Sequence, residues 1–401
     1  MIIGSNITNV VNYVYNLIVG RMLGPANYGE LAAIFSLIGL FGMIPFSLGL
    51  VIIRYVSLSK THGEVVGIIH WFSKRIFVLA IFLVLIIVLA YPLLSSFLNI
   101  KDGFLIILAG VSFLFSVPSF LNKSVLQGVL RFKEMVISVL LENSTKLILA
   151  VILIYIGFGV GGAVTGFVMA SFVGFVLSKI FIRDYSKPEA ERTPPNTKPI
   201  LLYSLPVLVQ SLALTSLYSA DIILVKHFFS SHDAGLYASL SYLGRIIFFG
   251  AGPIASVMFP MISQKQGKGE SYRRTFLYSF LFTGALIVGV LTIYKVVPQL
   301  MIEILYGSSY LGASSFLLPF GIFMSLFTLA SLLVNLHLSL GSAKVVVFPL
   351  IASALQIVGI YFFHNSLSSV IGVSIADSAI LLLILVLYSL KVDIFNRFIK
   401  I

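Results

Sequence analysis

The chain alternates long apolar stretches with short polar ones. Crossing a bilayer core as a helix takes roughly 20 residues. Apolar stretches of that order recur twelve times, over approximately 3–22, 30–53, 76–98, 104–127, 135–157, 161–182, 200–227, 234–261, 276–298, 312–338, 344–363 and 369–390. The pattern predicts an all-α polytopic membrane protein with about 12 transmembrane helices. The longest polar connection runs from Arg183 to Pro199, holds four prolines and mixed charge, and reads as an inner-face linker. Six spans precede it and six follow. The expected organisation is an N-terminal six-helix lobe over 1–182, a cytoplasmic linker over 183–199 and a C-terminal six-helix lobe over 200–401.

The halves echo each other. The first helix of each half leads through a short outer loop, with a glycine, into the next. The segment VGRMLGPANYGELA ends at Ala32, and VKHFFSSHDAGLYA ends at Ala238, so Gly29 and Gly235 align. The basic approach to the third span also recurs, as Ser73-Lys74-Arg75-Ile76-Phe77 and Tyr272-Arg273-Arg274-Thr275-Phe276. A six-span repeat keeps its orientation, which predicts two lobes related by a pseudo-two-fold axis along the membrane normal. Lobes that rock about a central site are a transporter design.

Composition agrees. Of 401 residues, 59% are apolar and 10% charged, and the mean hydropathy is +1.08. Soluble proteins are about 25% charged, so a soluble enzyme, a disordered chain and a simple nucleic-acid-binding module are excluded. The net charge is +12, from 26 Lys and Arg against 14 Asp and Glu. With the basic loops placed inside, twenty basic residues fall on the inner side, four outside, and two (Lys146 and Arg245) within spans. That is the positive-inside pattern, with both termini cytoplasmic. It accounts for most of the charge without nucleic acid as a partner. The absence of cysteine excludes disulfides and thiol chemistry. The first residues, MIIGSNITNV, lack the basic region and cleavage site of a signal peptide.

Polar side chains at membrane depth must face protein or water. Ser5, Asn9, Asn12 and Asn16 fall on one face of the first span, and Ser112, Ser116, Ser119 and Lys123 on one face of the fourth. Each stripe fits a hydrophilic cavity or interhelical hydrogen bonding. For the asparagines the cavity is favoured. Arg245 lies about twelve residues into the eighth span, roughly 18 Å along the helix. An arginine there costs about 2.5–3.5 kcal/mol on insertion scales, so pairing or function must offset it. Its planar fork suits a phosphate; the structural alternative is a pair with Asp221 on the seventh span. Lys146 follows Glu142 by four residues, and that i, i+4 pair is the favoured arrangement for both. Protonation of Glu142 would free Lys146, which gives Glu142 a coupling alternative. Asp377, in the last span, is a candidate carrier of a proton or Na⁺, with a structural network as the favoured alternative. Pro45 and Pro253 interrupt the second span of each half, and Pro206 and Pro349 interrupt others.

Several signals fail. No G-x-x-x-x-G-K-[ST] occurs, so there is no P-loop. Gly157-Phe158-Gly159-Val160-Gly161-Gly162 fits G-x-G-x-x-G but follows a membrane helix, and reads as an outer turn. His227, His232 and Asp233 read as a solvated loop, not a metal site.

Gly20-Arg21-Met22-Leu23-Gly24-Pro25 followed by Tyr28-Gly29, Asp221-Ile222-Ile223-Leu224 followed by Ala234-Gly235-Leu236-Tyr237, and Leu305-Tyr306-Gly307 followed by Tyr310 occur in that order. In these the chain resembles bacterial polysaccharide (O-antigen and exopolysaccharide) flippases, within the multidrug/oligosaccharidyl-lipid/polysaccharide transporter superfamily. The resemblance implies a fold like that of multidrug and toxic compound extruders. It also implies translocation of a polyprenyl-diphosphate-linked oligosaccharide from the inner to the outer leaflet of a prokaryotic cytoplasmic membrane. The expected headgroup contacts are then Arg245, Lys146, Arg54 and Lys123. The expected cavity lining is Asn9, Asn12, Asn16, Ser116 and Ser119, with Glu142, Asp221 and Asp377 as ion-coupling candidates. No cofactor is expected beyond a coupling H⁺ or Na⁺. Expected partners are the lipid-linked oligosaccharide, membrane lipids, a polysaccharide polymerase and other glycan-assembly proteins. Relatives often have fourteen spans; twelve suits the polysaccharide branch better than the peptidoglycan-precursor branch. The rivals are a cation-coupled multidrug exporter of the same fold and a membrane glycosyltransferase or glycan polymerase.

Overall fold

The computed structural model describes residues 2–100, 102–185 and 197–391. Most of the expected linker (186–196), both chain ends and the Ser5 side chain lie outside the described residues. Every regular element among the described residues is helical.

The first helix, α1 (Ile2–Leu58), has 57 residues. At 1.5 Å per residue it is far longer than the roughly 30 Å hydrocarbon core, so it holds two crossings. They are divided at Gly24, whose φ of 70° and ψ of 170° break the helical path. Without a Cβ, glycine reaches that region at low cost. Pro25 then restarts a helix at a position where no N–H bond is needed. The outer loop expected here is thus a one-residue break.

The third and fourth crossings are α2 (His62–Phe97) and α3 (Phe104–Val111) with α4 (Phe113–Gly128). A π-helical turn, Ile154–Phe158, joins α5 (Phe132–Leu153) to α6 (Gly159–Phe181). The glycine run from Gly157 forms this turn and opens α6, as the sequence reading expected. In the second half α7 (Thr197–Ser216) and α8 (Ala220–Phe228) meet at a 45° bend. They are followed by α9 (Ser231–Gly267), α10 (Arg273–Val296), α11 (Pro298–Leu305), α12 (Ser314–Ser339), α13 (Val347–Phe362) and α14 (Leu367–Lys391). Among the described residues nine helical segments are long and apolar enough to cross a membrane, ten with the bent pair. Counting both crossings of α1 and both of the α5–α6 segment gives the expected twelve.

Two local expectations change. The basic stretch before residue 76 is not a loop, because α2 already begins at His62. Thr61 accepts from the Glu64 backbone N–H, and Glu64 accepts from the Lys60 N–H, a reciprocal cap that fixes the start. Pro349 does not interrupt a span: it is the third residue of α13, in the first turn, where a missing N–H costs nothing.

The chain divides into two compact units, Met1–Leu212 with Phe229–Gly235, and Ala213–Phe228 with Leu236–Ile401. In the first, α4 packs on α1, α2 and α6, and α5 pairs with α6. In the second, α12 packs on α10 and α14, and α13 on α14 and α8. The apolar window of α12 is 72% buried, against 22% for α2, α9 and α10, so α12 is a core helix and the others present apolar faces outward. Such faces, with residues like Leu89 and Tyr155 exposed, require lipid around them.

Candidate functional site: one deep cation in each unit

In the first unit α5 carries Lys146 to a cavity of about 310 Å³ between the second half of α1 and α4. Phe35, Pro45, Phe113, Ser116, Phe120 and Phe167 contribute to its wall. The Lys146 Nζ donates to Asn12 Oδ1 at 2.6 Å and lies 4.1 Å from the centre of the Tyr15 ring. Glu142 does not pair with Lys146 as expected. Its Oε2 is ion-paired with Lys123 Nζ of α4. The reason is energetic and steric. An i, i+4 pair is worth only about 0.2–0.5 kcal/mol, so an interhelical partner overrides it readily. Gly174 of α6 makes the room, since a Cβ there would collide with the Glu142 carboxylate. Lys123, expected at the headgroup, therefore has its charge neutralised.

The polar stripes divide. Ser116 lines the cavity. Ser119 instead accepts from Ser178 Oγ, which accepts from Asn122 Nδ2. That knot between α4 and α6 is the interhelical alternative. Asn16 is buried, donating to the Asn12 carbonyl at 2.8 Å and accepting from Tyr28 Oη at 3.5 Å. Asn9 and Asn12 are exposed. Arg54 is exposed near the end of α1 and does not line this cavity.

In the second unit Arg245 projects from α9 toward the α7–α8 bend. Its Nη2 donates to the Tyr218 carbonyl at 2.6 Å. The guanidinium carbon lies 5.0 Å from the Tyr218 ring centre and 5.1 Å from that of Tyr242. Its Nε is buried without a hydrogen-bond partner. Asp221 forms no ion pair with Arg245: among the described residues no carboxylate lies within 4.0 Å of the guanidinium, although the Asp221 charge acts on it over a longer distance. Asp221 is fully buried and instead accepts from Tyr237 Oη at 2.8 Å and the Ile222 N–H at 2.9 Å. Asp377, in α14, is buried with Oδ2 unpartnered.

One turn beyond Arg245, Phe248 and Phe249 border a cavity of about 170 Å³ between α9 and α12. Thr283, Thr328, Ser331 and Asn335 supply its polar lining. The hydroxyls of Thr283 and Ser331 are buried without partners, whereas Thr328 returns its proton to a backbone carbonyl. Each unit thus holds a small aromatic cavity between its second and fourth crossings. Among the described residues no three His, Asp or Glu are placed to hold a metal.

The tyrosines that cradle these cations were not singled out in the sequence, although Tyr242, three residues before Arg245, is legible as a same-face neighbour. Lys226, within the segment VKHFFSSHDAGLYA that was read as leading through an outer loop, lies in α8 and is 1% exposed.

A cation faced by tyrosines thus sits beside a hydroxyl-bearing cavity in an all-helical membrane fold. Residues 18–315, well over half of the chain, match the family described as "Polysaccharide biosynthesis protein". The chain belongs to that family. No curated protein matches it significantly. An inward-facing multidrug resistance MATE family transporter of the MOP superfamily superposes with a TM-score of 0.81 at 16% identity, covering 96% of each chain. The lipid II flippase MurJ, in an inward closed conformation, gives 0.70 at 17% identity, covering 98% of this chain and 88% of that one. A MOP superfamily transporter from Pyrococcus furiosus, whose binding pocket is described as reversed in polarity, gives 0.67 at 15%, covering 98% and 95%. At these identities the likeness establishes the MATE-like fold of a multi-pass membrane protein. The family supplies the link to polysaccharide biosynthesis.

Proposed function

We propose that this family member is a flippase. It moves a polyprenyl-diphosphate-linked oligosaccharide from the inner to the outer leaflet of the cytoplasmic membrane by alternating access, driven by an H⁺ or Na⁺ gradient. The observation that carries the reading is the guanidinium of Arg245 without a carboxylate. A carbonyl and two tyrosine faces lower the cost of holding the charge at depth without forming an ion pair with it. A diphosphate supplies the missing anion and a bidentate partner for the planar fork. Lys146, held by Asn12 and Tyr15, offers a second cation with no ion pair within 4.0 Å among the described residues, under the longer-range influence of Glu142. The hydroxyl-bearing cavity beside Phe248 offers a sugar ring both an aromatic face and donors, while the polyprenyl tail stays in lipid. Headgroup and glycan need such a path because hydrocarbon strips them of water without compensation. Asp221 and Asp377 are the acids at hand for ion coupling, whereas Glu142 is engaged by Lys123. The glycan polymerase that would consume the exported unit is the expected partner.

The test is the leaflet on which lipid-linked glycan accumulates when the gene is removed. Build-up on the inner leaflet supports translocation; normal delivery to the outer leaflet refutes it. Export of a cationic dye on an imposed Na⁺ or H⁺ gradient would favour the multidrug alternative, for which the buried acids Asp221 and Asp377 are the relevant feature.

A further inference from the structure

Away from both deep cations, the second unit carries a larger groove of about 650 Å³ between α9 and α10. Its walls are Val257 and Met261 from α9, and Tyr278 and Phe282 from α10, all of them exposed. One end is basic: Lys265 and Arg274 line it. From Arg274 to Phe282 is eight residues of helix, so the apolar channel runs about 12 Å from the basic end. Thr275 and Ser279 form a buried polar floor. The Lys265 Nζ donates to Thr275 Oγ1 at 2.8 Å, which holds the ammonium at the mouth. Among the described residues neither Lys265 nor Arg274 has an ion pair, and Glu270, in the connecting turn, pairs with neither. The N-terminus of α10 lies at the same end, and its flanking residue Tyr272 supplies no side-chain cap. Its first N–H groups add positive potential there, offset by the last carbonyls of α9, which ends at Gly267; the two side chains supply the net charge.

An apolar channel of this length ending in two cations that have no ion pair among the described residues matches one chemistry, an anionic amphiphile. In the orientation read from the charge asymmetry, this end faces the inner leaflet, where acidic phospholipids bind basic pockets between transmembrane helices. We infer that the groove is a binding site for an anionic phospholipid, with the phosphodiester between Lys265 and Arg274 and an acyl chain along Val257, Met261 and Phe282. The inference is independent of the flippase reading, because the groove shares no residue with either deep-cation site.

The experiment uses the full chain, delipidated in detergent and re-exposed to vesicles of phosphatidylethanolamine with or without phosphatidylglycerol, with retained lipid counted by native mass spectrometry. Wild type should retain one phosphatidylglycerol in preference to phosphatidylethanolamine by about 30-fold, the effect of two basic residues beside an anionic headgroup. The preference should shrink as salt rises. The double variant K265Q/R274Q, altered at the mouth and not in the core, should lose the preference and keep the weaker phosphatidylethanolamine signal. Val257→Trp, which fills the channel without touching charge, should lose both. An unchanged preference in K265Q/R274Q overturns the proposal. So does full displacement by inorganic pyrophosphate, which would mark a soluble-anion site, or by a polyprenyl diphosphate at equal concentration, which would make the groove a substrate site. Should V257W elute as an aggregate, the salt series and the charge variant still decide.

Discussion

Replacing Arg245 separates a ligand-binding guanidinium from a structural one, because the two roles move different observables. Two unit charges 4 Å apart attract by about 4 kcal/mol at an effective dielectric constant near 20. A hydrogen bond to a charged group is worth about 1.5–3 kcal/mol. Arg245→Ala should therefore cost about 2–4 kcal/mol in the productive complex, roughly 30- to 1,000-fold in transport at limiting substrate. Stability should hardly change. The variant loses the bond to the Tyr218 carbonyl and two ring contacts. It also loses the attraction between the guanidinium and buried Asp221, against which it sheds an insertion cost of about 2.5–3.5 kcal/mol, so gains and losses largely offset. Arg245→Lys keeps the charge and loses the fork, for an intermediate loss of about 5- to 30-fold. Tyr218→Phe keeps both the ring and the carbonyl and should transport like wild type. The assay is the rate at which lipid-linked glycan becomes accessible outside, normalised to protein in the membrane, alongside thermal unfolding in detergent. Wild-type transport by Arg245→Ala at equal abundance refutes the reasoning. So does a large fall in unfolding temperature, which would make the residue structural.

Three further outcomes concern the supporting structure. Glu142→Gln strands the largely shielded Lys123 ammonium without its counter-charge and should lower stability by about 1–3 kcal/mol; Gly174→Val should act in the same direction by displacing that carboxylate, both read from unfolding in detergent. Tyr237→Phe removes the donor to buried Asp221 Oδ2, at a cost of about 1–3 kcal/mol, and an unchanged unfolding temperature would show that the bond carries no weight. Gly24→Ala forces a Cβ into a backbone of φ 70° and ψ 170°, a region essentially reserved to glycine, at about 1–3 kcal/mol; an unaffected protein would mean that the break relaxes without its glycine.

The twelve crossings were legible because a bilayer imposes one length and one polarity on every span, and a window of apolar residues reads both. What lay between the spans was less legible. Gly20–Ala32 has loop composition, yet only Gly24 leaves the helix. Glycine and proline mark where a backbone breaks without saying for how many residues. Side-chain partners were the least legible. Lys146 and Glu142 are ideally spaced, but helical spacing carries only tenths of a kcal/mol. Lys123, nineteen residues earlier, takes the glutamate because α4 and α5 approach in space. The asparagine stripe divides: Asn16 is buried against Tyr28, whereas Asn9 and Asn12 are exposed.

The two deep cations are held in the same manner by different elements. Lys146 comes from the fifth crossing of its half and Arg245 from the second, yet each lies over tyrosine and takes one neutral acceptor. A carboxylate would hold either more tightly and cancel its charge, as Glu142 does for Lys123. Where the only need is to anchor a helix, that cancellation is harmless and removes a burial cost. Where the charge must act on something else, a tyrosine face and an amide or carbonyl oxygen are the better support, because they orient a cation without neutralising it. The contrast between Lys123 and the other two is therefore chemical: Lys123 is ion-paired with Glu142, and among the described residues the other two have no ion pair within 4.0 Å, which is what the proposed contact with an anion requires.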